Sequence, residues 1–140
     1  MRRATRRFLA GETFEAALAV AIKFKAQGVG AVFTQLGENI KVLAEALAVV
    51  EHYEKVLAAG ASAGADFEIS VKPTQLGLDI DAGATFANLE RLARAASQVK
   101  SFLWVDMEGS AYTDSTSARR TAFRSSSRAA TNLRLFAVCN

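Results

Sequence analysis

The chain has 140 residues, 51% of them apolar, a net charge of +3 and a single cysteine. That length suits one domain with a genuine core. Cys139 has no partner for an intramolecular disulfide, no Cys/His cluster has zinc-ligand spacing, and the longest apolar run, Ala16 to Ile22, falls well short of the ~20 residues that cross a membrane. Absence of a disulfide framework points to a reducing, cytoplasmic setting.

Charge is unevenly spread. Residues 1–7 hold four arginines, residues 8–114 carry eight basic and fourteen acidic side chains, and residues 115–140 carry five arginines and no acid. The basic surplus is therefore terminal, which weakens a nucleic-acid reading of the body. MRRATRRFLAG has the composition of a transit peptide but is very short for one, and reads as a solvated first helical turn.

In chain order, Thr13 is a plausible N-cap with Glu15 in the first turn, and Phe14, Ala17, Leu18, Ala21 and Ile22 share one helical face up to Gln27-Gly28. Gly30 to Gln35 reads as a short buried strand, ending at Leu36-Gly37-Glu38-Asn39. A second helix places Ile40, Leu43, Leu47, Val50 and Leu57 on its apolar stripe and ends in AAGASAG. Phe67 to Lys72 is a second strand, closed by Pro73, which cannot extend a ladder. Asp79 and Asp81 announce a third helix carrying Phe86, Leu89, Leu92, Ala93 and Ala96, and Phe102 to Asp106 is a third strand. Strand ends near Gln35, Lys72 and Asp106 repeat at the period of βα units, so the expectation is an α/β fold with a parallel sheet. No strand end carries GxGxxG or a Walker loop, and three units are too few to close a (βα)8 barrel of ~250 residues. After Asp114 the composition becomes Ser/Arg-rich, and residues 115–140 read as a basic tail, either disordered or translated in a shifted frame. Without aromatic interleaving, an arm that binds nucleic acid is the last of these readings.

Strand alternation sets Phe67, Ile69 and Val71 on one face and Glu68, Ser70 and Lys72 on the other, with Asp106 sharing its side with Phe102 and Trp104. Lys72 and Asp106 then stand at the C-terminal ends of neighbouring strands, where parallel α/β sheets bind ligands. Two readings stay open: a structural ion pair, or an anion anchor beside a charge-tuning carboxylate. His52 reads as a surface residue, no serine sits in a G-x-S-x-G elbow, and Glu38 reads by default as an exposed loop acid.

The stretches RRFLAGETFEAALAVAIKFKAQGVGAVFTQLGEN, ISVKPTQLGLDID and FLWVDMEGSAYTDST, in that order, resemble bacterial FAD-dependent proline dehydrogenase over about residues 6–114. The resemblance implies the first three parallel βα units of an incomplete (βα)8, TIM-type barrel, preceded by a helix. It also implies oxidation of L-proline to pyrroline-5-carboxylate, with hydride passing to FAD and electrons then to a quinone. By position, Lys72 would contact the substrate carboxylate, Asp106 would be the active-site aspartate, Met107 would line the flavin, and Glu38 would gate substrate entry. Thr34-Gln35 departs from an aromatic-Asp pair found in some relatives, and no role is carried onto it. The family admits peripheral membrane contact.

The paired arginines of the family's eighth helix and most of its flavin-binding strands have no counterpart here. This chain by itself is therefore expected neither to hold FAD tightly nor to oxidise proline. Two other functions compete: a non-catalytic α/β module associating through the open edge of the third strand, and a Schiff-base barrel lyase using Lys72, against which a neighbouring carboxylate argues because it keeps the lysine protonated.

Overall fold

A computed structural model of the chain describes residues 13–37, 40–107 and 133–137, with backbone only for Met107 and the last five. Helix α1 is Phe14–Lys25, capped as expected by Thr13, whose Oγ1 accepts from the Ala16 N–H at 3.3 Å. Strand β1 (Ala31–Thr34) leads to helix α2 (Leu43–Ser62), and strand β2 (Phe67–Val71) leads through a 3₁₀ turn, Pro73–Leu76, to helix α3 (Ala82–Gln98). Strand β3 (Leu103–Met107) and strand β4 (Leu133–Ala137) complete the order. Helix α3 starts where Asp81 Oδ1 accepts from the Ala84 N–H at 3.0 Å, whereas Asp79 is exposed in the preceding turn. At the head of α2, the Glu45 carboxylate turns back to accept from the Lys41 and Val42 N–H groups. Both carboxylates satisfy donors that the helix itself leaves unpaired.

The strands lie in the order β1-β2-β3-β4, all parallel. A hairpin cannot join parallel neighbours, so α2 and α3 return the chain from the end of one strand to the start of the next. They cover one face of the sheet. Phe67, Ile69, Val71, Leu103 and Val105 point into that layer and pack with Val50, Tyr53, Leu57, Leu92, Ala93 and Ala96. Fully burying one such aliphatic side chain stabilises by about 1.5–3 kcal/mol. Helix α1 lies on the same side, with Phe14 edge-on to Phe33 at 5.6 Å between ring centres.

The α2 stripe differs from the sequence expectation. Leu43 and Leu47 are 39% and 42% exposed, while Ala46, Val49, Val50, Tyr53, Val56, Leu57 and Gly60 are buried. Close approach to β2 favours the small residues: a Cβ on Gly60 would lie 2.3 Å from Phe67 Cε1. Tyr53 is buried for a different reason. Its hydroxyl donates to the Ser70 carbonyl at 2.7 Å and accepts from the Gln35 N–H at 2.8 Å, joining the ends of β1 and β2 from within the core.

The end of the chain also departs from expectation. Within the segment read as a tail, Leu133–Ala137 pairs with β3 from Leu103↔Leu133 to Met107↔Ala137. Near-continuous apolar character is what a parallel strand covered by neighbours shows, and LRLFA has it despite the Ser/Arg-rich stretch before it. The open edge expected on β3 is thus covered by β4. Among the described strands, β1 and β4 are the sheet's edges.

Two stability predictions follow from this packing. Gly60→Ala should destabilise by roughly 1–3 kcal/mol, because overpacking against Phe67 outweighs the ~1 kcal/mol gain in helix propensity. A urea midpoint that rises would show that the two elements are less tightly apposed. Tyr53→Phe should cost about 1–3 kcal/mol by leaving the Gln35 N–H and the Ser70 carbonyl without their hydroxyl partner, and should lower the urea midpoint at constant m value.

Candidate functional site

Alternation along β2 leaves Phe67, Ile69 and Val71 buried and Glu68 and Ser70 half-buried on the opposite face. Lys72, the next residue, is half-buried as well. On β3, Leu103 and Val105 are buried, while Phe102, Trp104 and Asp106 are half-buried. Trp104 Nε1 donates to the Glu68 carboxylate, so the two sets share one face, the one turned away from the helices. The register pairs Ser70 with Trp104 and Val71 with Val105. One residue further, Lys72 stands across from Asp106. Strands in a sheet are about 4.8 Å apart, so ammonium and carboxylate leave the backbone from neighbouring points at the C-terminal edge.

Proximity does not make them an ion pair. Ion pairs formed among the described residues join Arg91 to Glu54 and Arg94 to Glu90 on the outer helix surface, and none joins Lys72 to Asp106. Lys72 also has an interaction of its own. A simple structural salt bridge between these two side chains is therefore not what holds them at the strand ends.

The backbone around Lys72 is fixed by the turn that follows. Gln75, only 2% exposed, donates through Nε2 to the Gln35 carbonyl at 2.9 Å and the Gly37 carbonyl at 2.5 Å, and its Oε1 accepts from the Lys72 N–H at 3.3 Å. The turn is braced in its own right. Thr85 Oγ1 and Asn88 Nδ2 donate to the Leu76 carbonyl at 3.3 and 3.1 Å. Gly77 closes it at φ 101°, where a Cβ would also come within 3.1 Å of Leu43 Cδ2. Sequence reasoning missed Gln75, Tyr53 and the Trp104–Glu68 contact. Glu68 and Trp104 were placed on the right face but given no partner. The carbonyls that Gln75 reaches lie 38 and 40 positions away, a link that no local pattern encodes.

The other expected site residues fall differently. Glu38 lies outside the described residues, although the loop entering it is described to Gly37. Met107 ends β3, and its backbone alone is described. His52 is exposed, its ring edge-on to Tyr53 at 6.0 Å. Burial raises the Tyr53 phenol above its ordinary pKa, against the opposing hydrogen bonds from Gln35 and Thr34. No group of three or more metal-ligating side chains occurs among the described residues, and no described helix is long and apolar enough to cross a membrane.

A flavin dinucleotide has two parts, and the described residues suit them unequally. Lys72, Asp106 and Met107 stand together at the C-terminal ends of β2 and β3, the edge beside which a ring system would have to lie. The starts of α2 and α3, which would ordinarily attract a diphosphate, already hold the carboxylates of Glu45 and Asp81. The described residues therefore supply a ring flank without a diphosphate cradle.

No protein-family profile matches the sequence. Over 103 residues, 74% of this chain, it is 33% identical to proline dehydrogenase 1 of Bacillus subtilis subsp. natto and 32% identical to proline dehydrogenase 1 of Bacillus subtilis strain 168. The structure superposes on the crystal structure of proline utilization A from Bdellovibrio bacteriovorus inactivated by N-propargylglycine, with a TM-score of 0.72 at 16% identity, covering 91% of this chain and 16% of that one. The chain is thus proline dehydrogenase-like in sequence and shares its parallel α/β architecture with part of a TIM-type barrel enzyme, and it spans about a third of the length of the curated relatives it matches.

Proposed function

We propose that the chain is the opening sector of an FAD-dependent oxidoreductase barrel of proline catabolism, in which Lys72 anchors the carboxylate of L-proline. The observation that carries this reading is the register of β2 against β3, which sets Lys72 across from Asp106 on the face opposite α2 and α3. Similarity to the two Bacillus proline dehydrogenases supports the choice of substrate.

Each residue has a distinct part. The Lys72 ammonium is a compact charge with three donors, suited to a small carboxylate. Asp106, one strand away, sets the local potential in which that carboxylate binds. Met107 lines the ring of the cofactor, and Glu38 gates entry from the loop beyond β1. FAD, when bound, supplies the hydride acceptor, and a quinone takes the electrons onward. The protein's own contribution is to position the substrate against the ring.

Titration of L-proline into the chain should give weak saturable binding, with a Kd on the order of millimolar for one charge-assisted anchor. Lys72→Met should weaken it about tenfold, equivalent to ~1.4 kcal/mol, and prolinamide, which lacks the carboxylate, should bind the unsubstituted chain no better than that variant binds proline. Equal binding of proline and prolinamide would remove the anchor. Borohydride trapping of a carbonyl compound on Lys72 would redirect the reading to a Schiff-base lyase.

The chain should release FAD on gel filtration and show no proline-dependent dye reduction, because two helix starts that suit a diphosphate carry carboxylates instead. A yellow protein that reduces dye with proline would show that the cofactor finds its cradle in this chain after all.

A further inference from the structure

We propose that Gln75 is the positioning residue of this site. It locks the exit of β1 to the exit of β2, so that Lys72 and the backbone at Gln35 and Gly37 keep a fixed separation. The inference rests on the reading of Lys72 as the substrate anchor.

Ladder pairing between β1 and β2 reaches Thr34↔Ser70 and stops. Beyond it the two chains leave the sheet, and their backbone polar groups need other partners. Gln75 supplies three. Its two amide protons go to the Gln35 and Gly37 carbonyls on the β1 side, and its oxygen takes the Lys72 N–H on the β2 side. Proline at 73 has no N–H to contribute, so the side chain at 75 substitutes for the missing ladder.

Few other side chains could make this link. Glutamate would set a carboxylate against two carbonyl oxygens. Asparagine is one methylene too short to span the same gap, and leucine has neither donor nor acceptor. The amide is nearly fully buried, so its bonds are little weakened by competing water. Its own base is rigid, since the turn hangs from α3 through Leu76 and closes at Gly77.

Tyr53 gives the comparison that separates positioning from adhesion. It joins the same two strand ends through the Gln35 N–H and the Ser70 carbonyl, whereas the Gln75 amide takes the Lys72 N–H and the Gly37 carbonyl. Loss of its hydroxyl should weaken the fold and leave the anchor where it is. Loss of the Gln75 amide should move the anchor.

The test is acetylation of lysine amines by acetic anhydride across a pH series, read residue by residue by mass spectrometry, with the exposed Lys55 and Lys100 as internal references. In Gln75→Leu, Lys72 should label faster by about threefold or more relative to the references, the scale expected when a buried hydrogen-bonded link is lost. In Tyr53→Phe the Lys72 profile should stay within about 1.5-fold while thermal stability falls, and Gln75→Glu, which keeps the acceptor for the Lys72 N–H but turns a carboxylate toward two carbonyl oxygens, should raise Lys72 labelling at least as much as Gln75→Leu. Equal shifts in Gln75→Leu and Tyr53→Phe, or no shift in Gln75→Leu, would overturn the proposal. Protection of Lys72 by L-proline in the unsubstituted chain is scored separately. Its absence refutes the anchor while leaving the labelling comparison to judge Gln75.

Discussion

Parallel pairing of β2 with β3 is the constraint on which the candidate site depends. In a parallel pair both strands finish at the same edge of the sheet, so their last residues meet there whatever lies between them in sequence. Antiparallel pairing would put Lys72 and Asp106 at opposite ends. A slip of one residue would turn one of them into the helix layer. Such a slip is strongly opposed here, because it would also expose Ile69 and Val71 or Leu103 and Val105, all of which are essentially fully buried. Burial of the apolar set on one face thus specifies the polar set on the other.

That second face is where the chain departs from an ordinary two-sided α/β layer. A parallel sheet covered by helices on both sides reads as continuous apolar strands, but β2 alternates with Glu68, Ser70 and then Lys72. The side chains tolerate the position because they have partners or partial exposure. Glu68 accepts from Trp104, and Lys72 is half-buried with a contact of its own. A half-polar face of this kind tolerates charged groups, whereas a uniformly apolar one would reject them.

Much of this architecture was legible in the sequence because it is written in local patterns. Thr13 and Asp81 announce helices through caps that need only the next three residues, and the two-residue alternation of FEISV and FLWVD fixes which side chains share a face. Leu43 and Leu47 were misjudged because a helical stripe predicted from apolarity takes no account of how closely a neighbour approaches; Gly60 meets Phe67 of β2 and Ala46 meets the turn at Gly77 on account of size. Leu133–Ala137 was missed because its composition was read together with the serines and arginines before it. Gln75 and Tyr53 were out of reach for another reason: their partners are set by tertiary proximity, and a polar residue in a turn or on a helix gives no sign of which distant carbonyl it will meet.

These two side chains also show how such a site is kept open without losing rigidity. Strands that bind a ligand at their C-terminal ends must part there, and parting strands forfeit ladder hydrogen bonds that a buried backbone cannot do without. Water would satisfy those groups but would leave the loop free to shift. Here a buried phenol serves one N–H and one carbonyl from the core side, and a buried amide serves two carbonyls and one N–H from the turn. Strand divergence therefore leaves none of these five backbone groups unpaired. The Lys72 main chain is held by one of these two clamps, so the backbone from which its side chain leaves is fixed by the fold itself.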